Sequence, residues 1–198
     1  MKIAIDLNDV IRDYTNNFIS TYLIYYNQSF NTDDFEIWTN DMQALLEFKT
    51  ERAYQKFIYE DYTYELFCKC GLCSKDLQKE LREWLLSLSE YEVDEPIEVV
   101  FVSTMEYGPS LGYTLNFIGN LNSGIREIYL PKDSSTIWDR CDMLITANPY
   151  LMEIKPKGKE VVKILTDYNK DAKADYEYRK LSDFFKEEKE DFRKIINK

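Results

Sequence analysis

Five short apolar runs constrain this chain most: IAI (3–5), IEVVFVS (97–103), IREIYLP (125–131), MLIT (143–146) and VVKIL (161–165). Each is nearly continuous rather than alternating, as strands buried on both faces are. Long connections, not hairpin turns, separate them, so they are expected to form a parallel sheet flanked by helices. A helix is predicted from near Tyr14, with Phe18, Tyr22 and Tyr25 on one face, and another from about Tyr107 to Asn122. The tail LSDFFKEEKEDFRKIINK (181–198) reads as a closing amphipathic helix with a solvated charged face.

Between the first two runs, about 33 to 90, the pattern is helical and contains no strand. QALLEFKTERAYQKFIYE (43–60) places Leu46, Ala53, Phe57 and Ile58 near helical spacing. SKDLQKELREWLLSLS (74–89) offers Ser74 as an N-cap and a stripe of Leu77, Leu81, Trp84, Leu85 and Leu88. This stretch reads as an inserted helical cap, with Trp38, Tyr54 and Tyr62 as core aromatics.

Charge and composition narrow the chemistry. The 25 Lys and Arg against 36 Asp and Glu give a net −11, which argues against a nucleic-acid polymer but permits one basic pocket for a small phosphate ester. No apolar run approaches the roughly 20 residues of a membrane span. The start MKIAIDLNDV carries two carboxylates where a secretory leader is apolar, so a cytoplasmic location is expected. The absence of histidine removes Ser-His-Asp and Cys-His catalysis and imidazole zinc sites. Cys68, Cys70 and Cys73, with Cys141 far along the chain, fit reduced thiols on a helix–helix turn better than a metal knuckle.

In a parallel sheet, ligands bind beyond the carboxyl ends of the strands. The polar residues there are Asp6 and Asn8, Ser103 and Thr104, Lys132 and Asp133, and Thr146 and Asn148. A carboxylate can attack phosphorus, a hydroxyl and a lysine can hold phosphoryl oxygens, and amides of the loop after Asp6 can form an anion nest. Loops in water also need polar residues simply to turn.

IAIDLNDVIRDY (3–14) resembles the first motif of the haloacid dehalogenase superfamily, and more closely the DxDGVLxDF pattern of its 5′(3′)-deoxyribonucleotidase-like branch, through Asp6, Val10, Ile11, Asp13 and Tyr14. VVFVST (99–104) resembles the second motif. CDMLITANP (141–149) resembles the branch's fourth, through Asp142, Leu144, Ile145 and Pro149. The stretch 161–184 is similar to the branch's closing strand, its tyrosine-asparagine turn and an arginine before the last helix. The resemblance implies a Rossmann-like three-layer α/β fold with five core strands in the order 5-4-1-2-3. It implies a core domain of 1–14 and 91–198 and a cap of 15–90. It also implies Asp6 as nucleophile, Asn8 at the acid/base position, Ser103 as phosphate hydroxyl and Lys132 as phosphate lysine. Asp9 and Thr104 would stand beside the substrate, and Asp6, the backbone carbonyl of Asn8 and Thr146 at the Mg²⁺ position.

Three residues depart from the family. Asn8 has a carboxylate's shape but cannot cycle a proton near neutral pH, and such help is worth about 10²- to 10⁴-fold. Asp9 stands where the pattern has glycine. Thr146 and Ala147 replace an acidic pair, although Mg²⁺ prefers anionic oxygens. Three functions follow: an impaired phosphatase that binds a small phosphate-bearing molecule, an active Mg²⁺-dependent phosphatase or 5′-nucleotidase using Asp6, and a non-enzymatic interaction module using the aromatic cap.

Overall fold

The computed structural model describes residues 1–26, 36–46, 48–89 and 96–187. Six strands form one wholly parallel sheet: β1 (Lys2–Asp6), β2 (Glu98–Val102), β3 (Glu127–Tyr129), β4 (Met143–Thr146), β5 (Glu160–Ile164) and β6 (Tyr176–Tyr178). Their order is β3-β2-β1-β4-β5-β6. The expected 5-4-1-2-3 order is present as five adjacent strands of this sheet, and β6 extends it by one strand beyond β5. That strand, YEY, is half exposed at the edge and carries no apolar run to announce it.

β1 is central because Ile3, Ala4 and Ile5 are wholly buried and pair with β2 on one side and β4 on the other. The pleat sends alternate residues to opposite faces. On one face Ile3, Ile5, Phe101, Ile145 and Val162 meet two helices, α5 (Leu77–Leu88) and α6 (Pro109–Leu121), and the helical segment 181–187. On the other face Ala4, Val100, Leu144 and Val161 meet Ile137 and Trp138 of a 3₁₀ turn (Ser134–Arg140) and Leu151 of helix α7 (Pro149–Glu153). The layers are therefore helix, sheet and helix. No helix among the described residues is long and apolar enough to cross a membrane.

The cap has its own apolar cluster. Helix α1 (Tyr14–Tyr25) packs Phe18 against Phe57, with ring centroids 5.3 Å apart. The expected helix over 43–60 is broken into α2 (Met42–Leu45), α3 (Glu51–Lys56) and a π turn (Phe57–Asp61), followed by α4 (Thr63–Phe67). The break falls where Thr50 adopts extended backbone and caps α3 by accepting from the Ala53 amide. Tyr54 and Tyr62 pack against this cluster, but Trp38 is 62% exposed: it lies in an irregular segment outside the cluster.

Helix α5 joins the sheet, not the cap. Leu77, Leu81, Trp84 and Leu88 all lie in the sheet's cluster, so the expected cap of 15–90 ends with a helix that packs on the core. Ser74 does not cap it. The helix begins after Asp76 without a side-chain cap, and the Ser74 carbonyl accepts from the Leu77 amide. Trp84 stacks on Phe185 at 4.6 Å, which fixes the start of the closing helix. Residues 188–198 of that predicted helix lie outside the described residues.

Trp84→Ala should cost about 3–5 kcal/mol of stability, because it opens a cavity between α5, the sheet and the closing helix. Urea unfolding of the variant measures this directly.

Candidate functional site

The site is built on the loop that follows β1. Asp6, the last residue of that strand, is 5% exposed. Its Oδ2 accepts from the Thr146 hydroxyl at 2.7 Å, and its Oδ1 accepts a long bond from the Asn8 amide at 3.4 Å. Burial pushes the Asp6 carboxyl up to about 7; the two hydrogen bonds oppose this, and the nearby charges of Glu106 and Asp9 add to it.

Asn8 is held by a residue that motif reasoning passes over. Its Oδ1 accepts from Arg12 Nε at 2.6 Å, and its Nδ2 donates to the Ser103 hydroxyl at 3.5 Å. Arg12 has no exposed surface. Its Nη1 donates to Thr114 Oγ1 at 3.0 Å and its Nη2 to Glu106 Oε1 at 2.6 Å. The guanidinium lies 5.5 Å from the Tyr14 ring, 5.1 Å from Phe67 and 5.9 Å from Phe117. Two of those rings belong to the cap and one to α6, so Arg12 sits in the seam between cap and sheet layers.

Asp9 adopts φ 58°, the left-handed conformation that explains a glycine in the family pattern. Asp tolerates it better than most residues, and three donors anchor the side chain: the Thr15 amide at 2.8 Å, the Thr15 hydroxyl at 2.5 Å and the Tyr168 hydroxyl at 2.7 Å. Burial raises the Asp9 carboxyl above its ordinary range, and these bonds oppose the rise. The tyrosine-asparagine turn thus ties the β5 loop to the β1 loop. Asn169, fully buried beside Tyr168, donates to the carbonyls of Ala147 and Ile164 and locks the ends of β4 and β5 together.

The structure brings Asp6, Asn8, Ser103 and Thr146 together, with Ser103 and Thr146 wholly buried. Thr104 follows Ser103 and is half buried. Lys132 is exposed, and its side chain makes no hydrogen bond or ion pair among the described residues. Asp133 caps the 3₁₀ turn through the Ser135 amide, and Asn148 caps α7 through the Tyr150 amide. Asp142 lies at the opposite end of the sheet, where it accepts from the Lys2 amide and pairs with Lys159.

This donor set does not fit Mg²⁺, which needs hard oxygen ligands in near-octahedral order. Asp6 is the sole carboxylate of the expected trio. The Asn8 ligand would be its backbone carbonyl, which is neutral, and Thr146 directs its proton to Asp6. Among the described residues no group of three or more His, Cys, Asp or Glu stands together to hold a metal. The four cysteines are free thiols, and burial raises Cys70 and Cys141 to about 12.

Arg12, Glu106, Thr114 and the hydroxyl of Tyr168 complete the site and carry no strand-end signal. An arginine inside the apolar loop VIRDY was the available clue, because a buried guanidinium requires partners.

Neither the family models nor the curated proteins contain a match to this chain. Among solved structures, the chain is similar to a protein from Burkholderia xenovorans described as a haloacid dehalogenase-like hydrolase. The TM-score is 0.51 at 11% identity, and the match covers 96% of each chain. The chain has the haloacid dehalogenase-like fold.

Two outcomes are expected. Arg12→Ala leaves Glu106 charged and unpaired in the interior and should cost about 3–5 kcal/mol; Arg12→Met with Glu106→Leu should recover part of it, as urea unfolding would show. Asp6 holds its proton more tightly folded than unfolded, since its ordinary value is 3.8 and its folded value about 7. Its contribution is therefore fully present below about pH 4 and is lost as pH rises through 7, by about 4 kcal/mol at most. Unfolding measured from pH 4.5 to 8 should show that decline flattened in Asp6→Asn.

Proposed function

We propose that this chain is a haloacid dehalogenase-fold protein that no longer hydrolyses phosphoesters but still binds a small phosphate-bearing molecule. The observation that carries the first half is the 2.6 Å bond from Arg12 to Asn8. The position that needs a proton-cycling carboxylate holds an amide whose acceptor oxygen is already taken by a permanent cation. Loss of general acid–base help alone is worth about 10²- to 10⁴-fold, and the misfit to Mg²⁺ adds to it. Ser103, the hydroxyl expected to meet phosphate, has no exposed surface. The binding half is supported by position: the loops after β1, β4 and β5 converge at the carboxyl edge of a parallel sheet, where such folds take up ligands.

A second reading, a protein-contact module, draws on exposed Tyr64, Tyr107, Leu111 and Leu115. A phosphoester ligand with no change in oligomeric state on dilution argues against it.

Phosphate release from nucleoside monophosphates and sugar phosphates, with Mg²⁺ and with Asp6→Ala as control, tests the main reading. No release above the control is expected. Release that vanishes in Asp6→Ala would make the chain a phosphatase with Asp6 as nucleophile and overturn the proposal.

A further inference from the structure

A phosphate group needs free cations, and those near the carboxyl edge of the sheet are unequally committed. Arg12 is buried and spent on Asn8, Thr114 and Glu106. Lys163 is also buried, its ammonium bound to Glu177 and to the carbonyls of Ala172 and Lys170. Arg179 and Lys180 follow β6 directly, are exposed, and make no side-chain hydrogen bond or ion pair among the described residues. Both line a cavity of about 270 Å³ that none of Asp6, Ser103 or Thr146 lines.

The cavity has Asp9 and Tyr168 in its wall and Leu77, Ile164 and Leu181 among its apolar lining. Three carboxylates also line it, and each is engaged within the chain. Asp9 accepts from Thr15 and Tyr168, Asp13 from the Asn16 amide group at 2.8 Å, and Asp167 pairs with Lys170 at 2.8 Å. The formal charges of the lining therefore balance, Asp9 and Asp13 against Arg179 and Lys180 with Asp167 paired to Lys170, and the two cations are the charged groups whose side chains are left free to turn to a ligand.

We propose that this cavity, not the Asp6 centre, is the binding site for a small phosphate monoester. The Arg179 guanidinium matches two phosphoryl oxygens at once and Lys180 supplies a point charge. The apolar lining takes the organic part. The volume is just under the roughly 300–1,000 Å³ of drug-sized pockets, which limits the ligand to the size of a sugar phosphate or mononucleotide. The assignment rests on the reading that the chain binds a phosphate-bearing molecule.

Calorimetric titration of the full chain with uridine monophosphate, glucose 6-phosphate and inorganic phosphate tests it. Binding of at least one ester is expected, weakened more than about tenfold in Arg179→Glu with Lys180→Glu and, more mildly, in Lys180→Ala. A double reversal remote from the cavity, Lys79→Glu with Lys157→Glu, makes the same change in net charge and should bind as the parent does. Thermal melts establish that each variant is folded. Parent-like affinity in the Arg179 and Lys180 variants overturns the cavity while leaving the binding reading standing, as does equal loss in the remote control. Inorganic phosphate binding as tightly as both esters overturns the ester assignment. No binding of any probe by the parent chain overturns the cavity and the binding reading together.

Discussion

A guanidinium with no surface in water must be neutralised and hydrogen-bonded on every side, and Arg12 is the point at which this structure meets that demand. Glu106 supplies the counter-charge, Asn8 and Thr114 take the other donors, and aromatic rings from two layers enclose the faces. The partners come from the β1 loop, the segment after β2, helix α6 and the cap. An ion pair of this kind gains little over well-packed apolar residues, yet it is costly to break from one side. Its effect is to fix geometry: the β1 loop, the segment after β2 and helix α6 cannot shift apart without stranding a charge, and rings of the cap close over the pair.

That same network reinterprets the Asp6 centre. Here the cation beside Asn8 belongs to the chain itself, and the hydroxyls of Ser103 and Thr146 are buried, one on Asn8 and the other on Asp6. The polar residues that remain at the strand ends now satisfy each other, as Thr146 does Asp6 and Tyr168 does Asp9. Their retention is explained by packing as well as by chemistry, because a buried polar group without a partner is costly.

Much of the fold was legible because parallel strands buried on both faces leave continuous apolar runs, and all five runs correspond to strands. β6 escaped since an edge strand needs no such run. The split of the 43–60 helix escaped because apolar spacing persists across a break that extended backbone at Thr50 decides. In the site, the motif residues were visible at strand ends, whereas Arg12, Glu106 and Thr114 were not. They lie 94 and 102 residues apart in sequence and meet only through the tertiary fold. The left-handed turn at Asp9 was foreshadowed by the glycine that the family pattern places there.

The two outer strands of the sheet have a consequence of their own. β3 and β6 are each three residues long, and each carries a glutamate paired to an inner lysine, Glu127 with Lys2 and Glu177 with Lys163. An unpaired strand edge is a template for adding a foreign strand, and short, charged edges are how natural sheets refuse one. The sheet is finished at both margins, so growth into fibres or edge-swapped aggregates is disfavoured by construction rather than by solubility alone.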